Sequence, residues 1–273
     1  MATYKGIQGF TIQNLSADPS NPIEGQVWYN STSNVWKVEE LTTAGTWATG
    51  NNLNTARRWA GPAGTQTAAL CFGGEIPPQT NATEEYDGTS WANSNPLNTT
   101  REGAGGAGTQ TAALGFGGTP GPTGATEEYD GNSWVNSNPL NTARYQLAGA
   151  GTQTSGLAFG GYIPNSNATE EYDGNSWTTS AGSLNLGRQT LSGFGILTAA
   201  LAAGGESPST GATEEYDGIS WATVNPLNTA RHQLSGCGTQ TAGLAFGGAY
   251  PIVAATEEWT GAGVALTKTI TVS

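Results

Sequence analysis

Residues 47–91 read WATGNNLNTARRWAGPAGTQTAALCFGGEIPPQTNATEEYDGTSW, and most of the remaining chain repeats this sentence. Tryptophans return at Trp47, Trp91, Trp134, Trp177 and Trp221, a step of 43 or 44 residues. Glycine doublets ending at Gly74, Gly118, Gly161, Gly205 and Gly248 keep the same step, as do Arg57, Arg101, Arg144, Arg188 and Arg231. Such a period marks a repeat architecture. Each copy is cut into short segments by Gly, Asn and Pro and carries no 3.6-residue apolar stripe, which excludes helical solenoids. A unit of this size without helices is one four-stranded blade of a β-propeller.

Within a repeat, strand a is the small-residue run (AGAGTQ at 148–153), strand b the TAALCFGG type, strand c the ATEEYDG type, and strand d starts at the tryptophan. Strand a is expected innermost, where Gly and Ala let neighbouring backbones approach. Asp-Gly supplies the tight c–d turn. The repeated Trp and Tyr86, Tyr129, Tyr172 and Tyr216 are expected to pack between sheets. The fifth copy ends in ATEEWTG, with Trp259 in the tyrosine position and no strand d after it. Trp47 begins a strand d with no strands a to c before it. Together they predict five blades closed by an N- and C-terminal clasp.

An apolar strand closed by Gly-Gly, then Tyr-Asp, Trp and a loop Arg resembles the kelch repeat. It stands here as LCFGG with Tyr86, Asp87, Trp91 and Arg101, and as LGFGG with Tyr129, Asp130, Trp134 and Arg144. LAFGG with Tyr172, Asp173, Trp177 and Arg188 follows, then LAAGG with Tyr216, Asp217, Trp221 and Arg231. The resemblance implies an all-β, five-bladed kelch-like propeller over residues 47–263. The Tyr-to-Trp gap is slightly shorter than kelch usually shows, and kelch propellers more often have six or seven copies.

Residues 1–46 do not repeat. A short strand is expected over Phe10–Leu15, then a hairpin in which QVWYN and NVWKVEE flank STSN. The segment SADPSNPIEGQVWYNSTSNVWKV resembles the N-terminal part of bacteriophage tail-fibre and other virion structural proteins, particularly those of marine and cyanobacterial hosts. The phrases GNNLNTAR, AGAGTQTSGLAFGG and ATEEYDGNSW resemble the Gly-rich arrays that follow it in the same proteins. This resemblance implies a virion component, anchored to other virion proteins through residues 1–46 and the alternating strand of 264–273. Homo-oligomerisation through the terminal strands is an open alternative.

With nine Lys and Arg against 21 Asp and Glu, the net charge is −12, which argues against nucleic acid as a partner. Ten of the acids are the repeated pairs from Glu84–Glu85 to Glu257–Glu258, so the acidity belongs to the scaffold. No signal peptide or membrane-inserting run is read, so synthesis is expected in the host cytoplasm and residence in the virion. Cys71 and Cys237 stand where other copies carry Ala or Gly, and are expected as small core fillers, a disulfide between them being the alternative.

The b–c and d–a loops should share one face, and the b–c loops differ in every copy: EIPPQTN, TPGPTG, YIPNSN, ESPSTG and AYPIVA. Variation on one face of a repetitive scaffold points to binding. Tyr162 and Tyr250 are the candidates for stacking on a sugar or packing on a protein. Arg57, Arg101, Arg144, Arg188 and Arg231 would either ring an anionic ligand or pair with repeated glutamates such as Glu85 and Glu128.

Catalysis, metal and cofactors are not expected. One histidine, His232, and two separated cysteines cannot build a copper or zinc site. His232 occupies a position filled elsewhere by Glu102, Tyr145 and Gln189, and is expected to be exposed. GAGGAG at 103–108 matches Gly-x-Gly-x-x-Gly but leads into a strand. The functional expectation is a tail-fibre or appendage protein that recognises host-surface glycan or protein. The alternatives are a capsid, collar or tail decoration and, further off, a cellular kelch adaptor or lectin.

Overall fold

The computed structural model describes residues 13–17, 27–32, 34–38, 51–206, 208–249 and 255–261. It is all-β, and the chain divides into two compact units, 1–49 and 50–273. In the first, β1 (Gln13–Leu15) runs parallel to β2 (Val27–Asn30), which forms an antiparallel hairpin with β3 (Val35–Val38). The described part of the expected Phe10–Leu15 strand is therefore β1, and the hairpin forms as expected.

The second unit is a five-bladed β-propeller. Blade 1 comprises β4 (Gly61–Thr65), β5 (Ala68–Phe72), β6 (Thr83–Tyr86) and β7 (Trp91–Ser94). Blade 2 comprises β8 (Gly105–Thr109), β9 (Ala112–Phe116), β10 (Thr126–Tyr129) and β11 (Trp134–Ser137). Blade 3 comprises β12 (Ala148–Thr152), β13 (Ser155–Phe159), β14 (Thr169–Tyr172) and β15 (Trp177–Thr179). Blade 4 comprises β16 (Ser192–Ile196), β17 (Ala199–Ala203), β18 (Thr213–Tyr216) and β19 (Trp221–Val224). The described part of blade 5 is β20 (Ser235–Gly238), β21 (Ala242–Phe246) and β22 (Thr256–Thr260). Each sheet is an antiparallel meander in chain order. Trp47, and with it the expected clasp, lies outside the described residues, as does 264–273.

Inter-blade packing explains the glycine content. A Cβ on Gly149 would sit 2.6 Å from Phe116 Cζ and 2.5 Å from the Gly106 carbonyl; one on Gly193 would sit 2.4 Å from Phe159 Cζ. The strand-b phenylalanine of one blade thus lies over the strand-a glycine of the next. Blade 4 has Ala203 where the phenylalanine would stand, and Phe194 from its own inner strand fills against Gly236 and Gly243 instead.

Polar groups repeat across the same boundaries. The indole N–H of Trp134, Trp177 and Trp221 donates to Thr83, Thr126 and Thr169 Oγ1 of the preceding blade at 2.9–3.0 Å. The hydroxyls of Tyr129, Tyr172 and Tyr216 donate back to Glu85, Glu128 and Glu171, and each tyrosine oxygen also meets Ser94, Ser137 or Ser180. The phenol lies inside while its one donor finds a carboxylate, so the buried hydroxyl is satisfied.

Candidate functional site

The repeated arginines are structural in placement. Their side chains are 0–1% exposed, and each pairs with the first glutamate of the blade it enters: Arg57–Glu84, Arg101–Glu127, Arg144–Glu170, Arg188–Glu214 and Arg231–Glu257. The same carboxylates accept backbone N–H groups of the incoming loop, as Glu127 does from Asn98 and Thr99. Meanwhile the arginine carbonyl holds the preceding blade, with Gly118 N–H donating to Arg144 O at 2.9 Å. Burial presses the Arg101 and Arg144 pKa values below the ordinary guanidinium range, and the facing carboxylates push them back up. Removing one member of such a buried pair typically costs about 3–5 kcal/mol.

The expected partners Glu85 and Glu128 are thus corrected. Strand alternation sends the two glutamates of each pair to opposite faces. The first meets the arginine, and the second meets the tyrosine of the following blade.

Two further corrections concern single residues. His232 is buried, at 4% exposure, because its backbone bridges to Ala249 and its Nδ1 lies 3.3 Å from Ser209 Oγ. Cys237 is exposed rather than a core filler, since β20 lies in the least covered blade, and both cysteines are free thiols. Burial raises the Cys71 pKa.

The face that carries the b–c loops is built in two rings. The outer ring is the residue after each arginine, bridged to the residue after each glycine doublet: Arg58 to Glu75, Glu102 to Thr119, Tyr145 to Tyr162, Gln189 to Glu206 and His232 to Ala249. Tyr162 is 38% exposed and stands 5.3 Å from Tyr145, ring centre to ring centre. Tyr250 lies outside the described residues. Arg58 pairs with Glu75, and its guanidinium lies 4.4 Å from the centre of the Trp59 ring.

The inner ring was missed by the sequence reading. It is the residue two places after each arginine: Trp59, Gly103, Gln146, Thr190 and Gln233. All five have left-handed backbones, with φ of 54°, 62°, 54°, 52° and 54°. A belt of hydrogen bonds links them in order, from Gly103 N–H to Trp59 O through to Gln233 N–H to Thr190 O. Gly103 shows what this conformation asks for. At the other four positions a side chain is held in it, at a cost on the order of 1–3 kcal/mol each. The available signal was a glycine in one copy aligned with bulky residues in the others.

This rim opens a central cavity of about 360 Å³, walled by the inner strands of all five blades. Among the described residues no group of three or more His, Cys, Asp or Glu could hold a metal, and no helix is long and apolar enough to cross a membrane. No protein-family model matches the chain, and no curated protein is similar to it. The architecture alone speaks for function: a β-propeller of this build is consistent with a recognition or protein-interaction module.

Proposed function

We propose that this chain is a bacteriophage virion structural protein, a tail-fibre or appendage component whose propeller recognises a host-surface glycan or protein and performs no chemistry. One observation carries the reading. The scaffold positions repeat from blade to blade, whereas the side chains of both rings and the b–c loops differ on a single face. The phage assignment rests on the resemblance of the N-terminal segment and the repeated phrases. Residues 1–46 and 264–273 then serve as the attachment to other virion proteins, and the virion is the place of residence.

Purified chain should be retained on cells from a panel of cyanobacterial and marine bacterial strains. Tyr162→Ala should cut retention at least several-fold without lowering the thermal midpoint, because the ring is exposed and its loop backbone is held by other bonds. A particle map in which this face is covered by another virion protein would instead make the molecule a decoration.

A further inference from the structure

The inner rim holds a non-glycine residue in left-handed backbone at four positions out of five. We infer that the mouth of the central cavity binds one uncharged saccharide unit, held by Gln146, Thr190 and Gln233 and stacked on Trp59. This inference rests on the recognition reading and names its substrate class.

Three observations converge on that chemistry. Among the described residues no charged side chain lines the cavity, although the protein carries a net charge of −12. A charged ligand would lose water there without finding a counter-charge. The polar lining consists of carboxamides and hydroxyls, with Ser192 and Ser235 below the rim. A carboxamide both donates and accepts, which is what a sugar hydroxyl requires of its neighbours. Among the described residues the side-chain amides of Gln146 and Gln233 have no hydrogen-bond partner, whereas Gln110, Gln153 and Gln240, elsewhere in the repeat, each bridge two carbonyls.

Trp59 supplies the apolar plane. Trp59 is 39% exposed and lines the cavity; the Arg58 guanidinium, already paired with Glu75, covers one face of its ring and leaves the other for a ligand. An indole packs against the C–H face of a sugar and keeps its N–H for a hydroxyl. The volume, about 360 Å³, lies at the small end of ligand sites, which fits one or two sugar rings rather than a long chain.

The test uses the full chain with a panel of neutral hexose and N-acetylhexosamine disaccharides, compared with uronic-acid and sialylated ones, read by saturation-transfer NMR. At least one neutral saccharide should bind and the charged set should not. Gln146→Gly and Gln233→Gly place the natural residue of position 103 at the rim, so both variants should fold with an unchanged or raised thermal midpoint. Each should weaken the neutral saccharide at least tenfold. Unchanged affinity in both variants, preference for charged saccharides, or no binding by any neutral one overturns the inference. Retention on host cells separates the two readings. If cells are retained while saccharide affinity is unchanged in both variants, the cavity inference falls and recognition stands. If saccharide binds but no cell is retained, host recognition falls and the cavity inference stands.

Discussion

At the residue scale, Tyr129, Tyr172 and Tyr216 show how a polar group is made to join two sheets. Each is buried, and each donates its hydroxyl to a glutamate of the preceding blade. Burial, and then the adjoining carboxylate, push the three phenol pKa values up to about 12. The folded state therefore holds these protons more tightly than the unfolded state, whose phenols titrate near 10. The resulting stability is intact below pH about 10 and is lost as pH rises toward about 12. Alkaline titration followed by circular dichroism should show unfolding in that window, with these phenols ionising together with loss of structure. Tyrosinate absorbance developing fully before any structural change would contradict the inter-blade role. The fourth boundary lacks the device: Trp259 and Val224 replace the tyrosine and serine, and Glu215, left without them, has its pKa raised by desolvation.

At the element scale, the inner strands carry the packing. In β12 the missing side chain of Gly149 leaves room for both the Phe116 ring and the Gly106 carbonyl. Gly149→Ala should cost about 1–3 kcal/mol in urea denaturation, because two rigid neighbours would have to move. A loss under a few tenths would mean that the blades can slide apart freely. The strand limits and blade count were legible because period, glycine doublets and Asp-Gly turns are local signals. Which glutamate meets the arginine was not, since alternation fixes that the pair diverges but not which way. His232 was misjudged for a related reason. A polar residue after a loop arginine reads as exposed until its bridge to Ala249 is known. The rim was illegible in kind, because a left-handed backbone announces itself only when it is glycine.

At the scale of the whole molecule, the boundaries are unequal. Four of them carry the backbone bond from a strand-b glycine to the next arginine carbonyl, from Gly74–Arg101 to Gly205–Arg231. Among the described residues no such bond joins Gly248 to Arg57, and Gln66, Tyr86 and Trp91 make none of the cross-boundary bonds that their counterparts make. A Cβ on Gly247 would meet nothing within 4 Å, where its equivalents at 73, 117, 160 and 204 meet the next blade. Pro62 stands in β4 where Gly106, Gly149 and Gly193 stand in the following inner strands, so a phenylalanine cannot seat there in the same way. Burial follows suit: β21 is half covered while β9, β13 and β17 are almost wholly buried. Local opening takes the path with the fewest buried contacts. Native-state hydrogen exchange should therefore be fastest in β20–β22, intermediate in β4 and β5, and slowest in β9 and β13. Protection in β21 equal to that in β13 would require this boundary to be sealed as firmly as the others, and the propeller would then open as a single cooperative ring instead of from one side.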